Sequence, residues 1–215
     1  MTLRKRITEL LEQNNMPELI ALSEKKHGIF RVLISLAYDK NQLLCWRAIE
    51  ALGIISGNMA QKEPERIRNL IGRLLWTIRE ESGGIGWSAP EMLGEIVRNS
   101  PDVFSDIGPI ISSFYDEDML KRGVLRALVR IGDIRPALIQ NSAFLVKPSL
   151  DNEDAQVRAY AILLAGCLRL TDCINDIKHL RDDKNEITVY ENGDLRTMNV
   201  GDIAKETVIL LQSSE

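Results

Sequence analysis

Apolar residues along the chain fall at helical spacing. From Pro64, they stand at 67, 70, 71, 74, 75 and 78, three and four apart, which predicts an amphipathic helix over 64–78 with Pro64 at its first position. Leu3–Gln13, Pro17–Lys25 and Gly28–Tyr38 predict three more helices near the N-terminus. Pro101–Phe114 and Ile134–Val146 read the same way. The pattern changes once. Glu186–Met198 alternates apolar and polar residues around Asn192-Gly193, the dipeptide that suits a tight hairpin turn, so a β-hairpin is expected at 186–198.

Between these helices a unit recurs. Ala48, Ala89, Ala127 and Ala161 are each followed five residues later by a glycine: Gly53, Gly94, Gly132 and Gly166. Nine residues before each alanine stands an acidic or amide residue: Asp39, Glu80, Asp118 and Asn152. Four residues before it stand Leu44, Ile85, Gly123 and Val157. A degenerate fifth copy is Val200-Gly-Asp-Ile-Ala204. The position four before the alanine, the alanine and the residue before the glycine share one helix face. The small alanine admits a neighbouring helix, and the glycine ends the helix or eases a close crossing. The Asp or Asn suits the turn that precedes a helix, where its side chain takes up free N–H groups. Each repeat thus reads as a pair, helix A then helix B. Such a pair buries its apolar face only by stacking on others.

The Asp-x4-apolar-x3-Ala-x4-Gly unit resembles the HEAT repeat, in the short bacterial form shared with phycocyanobilin-lyase-type HEAT-like proteins, over roughly residues 28–212. The resemblance implies an all-α, right-handed α-solenoid of HEAT-like helical pairs with its B helices on the concave side. A small β-hairpin is inserted in the last repeat. The expectation is one domain over 1–215: N-terminal capping helices over 1–27, repeats over 28–182, and a C-terminal capping repeat over 183–215 that holds the hairpin. The family's Val-Arg pair survives as Val157-Arg158; Leu44-Cys45, Ile85-Gly86 and Gly123-Val124 stand in the matching places. The Asp–Arg ladder that the resemblance implies is therefore expected to be broken. The hairpin reads either as a closure of the stack or as an arm that pairs with a partner strand.

Candidate chemistry is sparse. Trp46 and Trp87 stand two residues before their alanines, and Glu50 and Glu91 two residues after. Each Trp–Glu pair is spaced i, i+4, so the two pairs are expected side by side on adjacent B helices, about 10 Å apart. Arg126 and Arg130 stand one residue further round the third B helix. Two readings stay open: a concave protein-binding surface with tryptophan anchors, or tryptophans packed between helix layers. On the first reading, Trp87→Ala with Glu91→Ala leaves melting unchanged. Gly83, Gly84 and Gly86 with Ser88 precede a helix as a possible ligand loop. No P-loop lysine follows them, and Ser88-x-x-Glu91 reads more simply as a capping box.

Asp116-Glu-Asp118 and Asp151-Asn-Glu-Asp154 read as helix N-terminal charges rather than a metal site. His27 and His179 have no zinc spacing, and Cys45, Cys167 and Cys173 no disulfide or redox spacing. No metal, cofactor or catalytic residue is therefore expected. Net charge is −4, which argues against nucleic acid as partner. Acidic residues interrupt the N-terminus where a signal peptide needs an apolar stretch. The longest uncharged apolar run, Ala159–Leu168, is half of a membrane span. The function expected is a non-catalytic, cytoplasmic scaffold that holds a partner protein on its B-helix surface. The alternative is a lyase-like or small-ligand accessory protein of HEAT build; a DNA-repair glycosylase-like role fits the acidic balance less well.

Overall fold

The computed structural model describes residues 1–79 and 86–213. The order is α1 (Leu3–Glu12), α2 (Met16–Lys25), α3 (Ile29–Leu36), α4 (Leu43–Ala60), α5 (Pro64–Arg79), α6 (Ala89–Asn99), α7 (Ile107–Ser112), α8 (Lys121–Gly132), α9 (Val146–Leu150), α10 (Ala155–Leu168), α11 (Ile174–His179), then β1 (Glu186–Glu191) and β2 (Asp194–Asn199), and α12 (Val200–Gln212). The fold is all-α with one hairpin near the C-terminus. It comprises two compact units: Met1–Ser105 with Asn192–Asp194, and Asp106–Glu191 with Leu195–Glu215.

Side-chain caps set several helix starts. Thr2 accepts from the Lys5 N–H, Asn15 from Glu18, Asp154 from Gln156 and Asn199 from Gly201, each satisfying an N–H that has no partner inside its helix. In the first unit, α4 lies against α3, α5 and α6. Its Ile49, Leu52 and Ile55 are fully buried, each contributing roughly 1.5–3 kcal/mol relative to exposure. In the second unit, α10 packs against both α8 and α12.

The recurring glycine eases a crossing; it does not end the helix in α4 or α10. A Cβ at Gly53 would stand 2.5 Å from Glu95 Cβ on α6, one at Gly132 3.0 Å from Cys167 Cβ on α10, and one at Gly166 3.3 Å from Thr207 Cγ2 on α12. One register position of the B helix thus faces the next B helix in all three cases. Gly57, one turn after Gly53, meets Asn99 in the same way, its added Cβ falling 2.9 Å from the Asn99 carbonyl oxygen. Two glycines four apart let α4 and α6 approach backbone to backbone.

Two expected helices are irregular. The stretch expected as a helix over 134–146 is a 3₁₀ helix, Pro136–Leu145, before the short α9. Of 101–114, regular helix forms only over α7. In 134–146 Ile139 and Leu145 are buried while Phe144 is exposed; in 101–114 the buried Phe104, Ile107 and Ile111 keep a helical spacing.

The ladder expected to be broken has two rungs in the second unit. Arg122 on α8 binds Asp154 at the start of α10. Arg158 on α10 binds Asp183, which precedes the hairpin and α12. Arg122 stands two residues before the family's arginine position, which Val124 occupies here. Burial alone would raise the Asp183 carboxyl. The Asn185 backbone and side-chain N–H groups and the Arg158 guanidinium outweigh that and hold it below the usual carboxylate range.

The hairpin turns at Asn192-Gly193, with φ of 52° and 84°, the left-handed pair of a type I′ turn. Ile187 and Tyr190 are buried, β1 packs on α10, and Gln156 Nε2 donates to the Thr188 carbonyl at 2.8 Å. The turn itself clusters with the first unit, where Arg47 Nε donates to the Gly193 carbonyl at 3.0 Å and Arg47 Nη1 to those of Leu11 and Glu12.

Candidate functional site

The six residues singled out on the B helices have different surroundings. Trp46 is buried in α4, and its indole N–H donates to the Lys40 carbonyl at 2.8 Å. That carbonyl belongs to the turn before the B helix. In the second unit the equivalent carbonyl, Glu153, accepts from Arg158 Nη1 at 2.9 Å. The indole in the first unit therefore does locally what the ladder arginine does in the second: it ties the turn to the helix that follows.

Lys40, so placed, reaches α6. Its Nζ lies 2.5 Å from Glu91 Oε1 and donates to the Trp87 carbonyl at 2.8 Å. The Glu91 side chain is 1% exposed and that of Lys40 33%. A carboxylate this buried requires its cation, and removing either partner leaves an uncompensated charge. Expecting Glu91→Ala to leave stability untouched is therefore corrected: Glu91 is part of the frame.

Trp87 lies outside the B helix proper, in the 3₁₀ turn Gly86–Ser88 that leads into α6. Its side chain is 46% exposed while its backbone carbonyl is held by Lys40. An indole is thus presented from a fixed backbone. The capping box expected at Ser88-x-x-Glu91 does not form. Ser88 makes no side-chain cap, its φ and ψ of −106° and 7° lie outside the extended region that capping favours, and Glu91 is drawn to Lys40 instead. Ser88 Oγ and Glu91 Oε2 are buried without a hydrogen-bond partner among the described residues.

Glu50 is half-buried on α4. On α8 in the second unit, Arg126 is buried and Arg130 half-buried. Gly83 and Gly84 of the expected ligand loop, and Glu80, lie outside the described residues. Among the described residues, no group of three His, Cys, Asp or Glu could hold a metal ion, and no helix is long and apolar enough to cross a membrane. Sequence reasoning missed Lys40. Its position next to Asp39 in the turn before α4 was available, but the partner across the helix pair was not.

No protein-family model matches the chain. A protein of Archaeoglobus fulgidus, described only as uncharacterized, is 28% identical over 180 residues, spanning 81% of this chain and 92% of that protein. Among solved structures, an engineered protein is similar with a TM-score of 0.55 at 13% identity, covering 99% of this chain and 98% of that one. The archaeal HEAT-like repeats protein from Thermococcus onnurineus NA1 gives a TM-score of 0.47 at 14% identity, covering 99% and 82%. The likeness to the engineered protein is one of fold.

Proposed function

We propose that the chain is a non-catalytic, cytoplasmic scaffold that holds a partner protein against its B-helix surface, with Trp87 as the anchor of the first unit. The observation that carries this reading is the half-exposed Trp87 indole on a backbone fixed by Lys40 and, behind it, Glu91. A large ring already held in place loses little conformational freedom on binding. Tryptophan in that condition is the type of residue that dominates binding energy at interfaces. Glu50 borders the contact in the first unit, and Arg130 is the corresponding polar group of the second. Trp46, Glu91 and Arg126 act from beneath as supports. Their burial suits them to setting the surface, not to touching a partner.

The test is co-purification from the native host with wild type and Trp87→Ala side by side. One protein held by wild type and lost by the variant, at unchanged melting temperature, supports the reading. The same proteins held by both would refute the anchor. A coloured or small-molecule ligand retained by both would favour an accessory role of the phycocyanobilin-lyase type.

A further inference from the structure

A second surface lies on the A helices of the first unit, between α3 and α5. Between α3 and α5 opens a cleft of about 210 Å³, lined by Arg31, Ile34 and Ser35 on one side and Arg73, Leu74 and Thr77 on the other. Leu74 is buried and Ile34 half-buried, so the cleft has apolar walls. Arg31 and Arg73 are exposed, and neither guanidinium has an ion-pair or hydrogen-bond partner among the described residues. Arg4 adds a third guanidinium by donating to Ser35 Oγ at 2.7 Å.

This face runs against the charge of the chain. The net charge is −4, yet α3 and α5 carry five arginines against the one carboxylate of Glu65. Arg66 is matched by Glu63, and Arg68 donates to the Val103 carbonyl. Arg79 closes α5, and Arg31 and Arg73 remain at the cleft as positive charge beside apolar surface, which calls for a ligand that is both acidic and apolar.

The size of the surface points to the kind of ligand. Enclosing small-molecule pockets run to roughly 300–1,000 Å³; this cleft is smaller. Trp76, three residues beyond Arg73 on α5, is 60% exposed, and Tyr38, four residues beyond Ile34, is 68% exposed. Arginine, tryptophan and tyrosine are the residues enriched at protein-binding hot spots. We propose that the α3–α5 cleft docks an acidic peptide segment of a partner protein. One apolar side chain of that segment enters between Ile34 and Leu74, and its flanking carboxylates meet Arg31 and Arg73.

The experiment is selection of a phage-displayed random dodecapeptide library on the full-length protein. The enriched sequence is then synthesised and titrated by fluorescence anisotropy. The expected result is a consensus of Asp or Glu flanking Leu, Ile or Phe. Its binding should weaken at least tenfold in the Arg31→Glu/Arg73→Glu variant and also fall as salt rises, because exposed charges are screened. Thr77→Trp, which fills the cleft without changing its charge, should abolish the same binding; circular dichroism checks that both variants are folded. A consensus without acidic residues, or one indifferent to these substitutions, would overturn the proposal. So would the absence of any enriched peptide. If sodium decanoate bound in an arginine-dependent way while no acidic peptide did, the cleft would be a site for a small anionic amphiphile instead.

Discussion

The same substitution at two glycines of the first unit should have opposite effects. Gly72 lies in the exposed middle of α5, and a Cβ built on it meets nothing within 4 Å. Alanine there gains helix propensity and narrows the unfolded ensemble, so Gly72→Ala should stabilise by about 0.4–1 kcal/mol. At Gly53 the same gain is opposed. The new carbon would stand 2.5 Å from Glu95 Cβ, 2.7 Å from the Glu95 carbonyl oxygen and 2.8 Å from its carbon. Contact distance between carbons is about 3.5–4.0 Å, so α4 and α6 must part by about 1 Å. The opposing atoms are largely backbone, which no rotamer change relieves. Gly57, tight against Asn99, blocks a simple pivot.

Overpacking of this kind costs about 1–3 kcal/mol, toward the upper end here, so Gly53→Ala should be destabilising by about 1–2.5 kcal/mol net. In a chain of this size each kcal/mol moves Tm by about 2–4 °C. The assay is urea unfolding followed by tryptophan fluorescence. All three tryptophans, Trp46, Trp76 and Trp87, belong to the first unit, so the signal reports the unit that carries both substitutions. If Gly53→Ala proved as stable as wild type, or both variants moved in the same direction, the close crossing of α4 and α6 would be refuted.

Other outcomes follow from the same geometry. Trp46→Phe keeps most of the buried ring but loses the hydrogen bond to the Lys40 carbonyl; it should be destabilised by about 1 kcal/mol, read from the urea midpoint. Asp183 is held below its usual range, so its contribution is fully present above the unfolded carboxylate value, about 3.9, and is lost as pH falls through the lower folded value. Stability measured from pH 5 to 2 should therefore fall less steeply in Asp183→Asn than in wild type. Burial, then the Asp133 carboxylate, pushes the Cys167 thiol up to about 12, and burial pushes Cys173 up to about 11. Iodoacetamide at pH 8 should thus alkylate both slowly in the folded protein and quickly in urea, since the thiolate is the nucleophile.

Most of the fold was legible because it rests on local signals. The helices over α1 to α5 follow apolar spacing and caps, and the hairpin follows from Asn192-Gly193. The Ala-to-Gly spacing marked the B helices because each glycine must admit a neighbour at one register. The 3₁₀ form of Pro136–Leu145 was not legible, since apolar spacing there reads as ordinary helix. The candidate site was legible only as a set of residues. Trp46 and Trp87 share a position in the repeat, yet one is inside α4 and the other in the turn before α6. That difference arises where α6 starts, which the repeat spacing does not encode. Glu91 looked like surface charge because its partner, Lys40, lies 51 residues away. Separation of that order leaves no mark in a helical pattern.

The Asn192–Asp194 turn has a consequence for the order in which the protein is made. Arg47 holds the Gly193 carbonyl, and Gly193 sits against the Asn14 side chain, so the first unit contains residues far apart in the sequence. During synthesis the helices from α1 to α6 leave the ribosome long before residue 193 exists. Arg47 can bind Leu11 and Glu12 early, but its last acceptor, Gly193, is made 146 residues after it. Helical repeats fold quickly because their contacts are local. Here one distant clasp waits for a residue 146 positions further along, and the nascent first unit must persist without it.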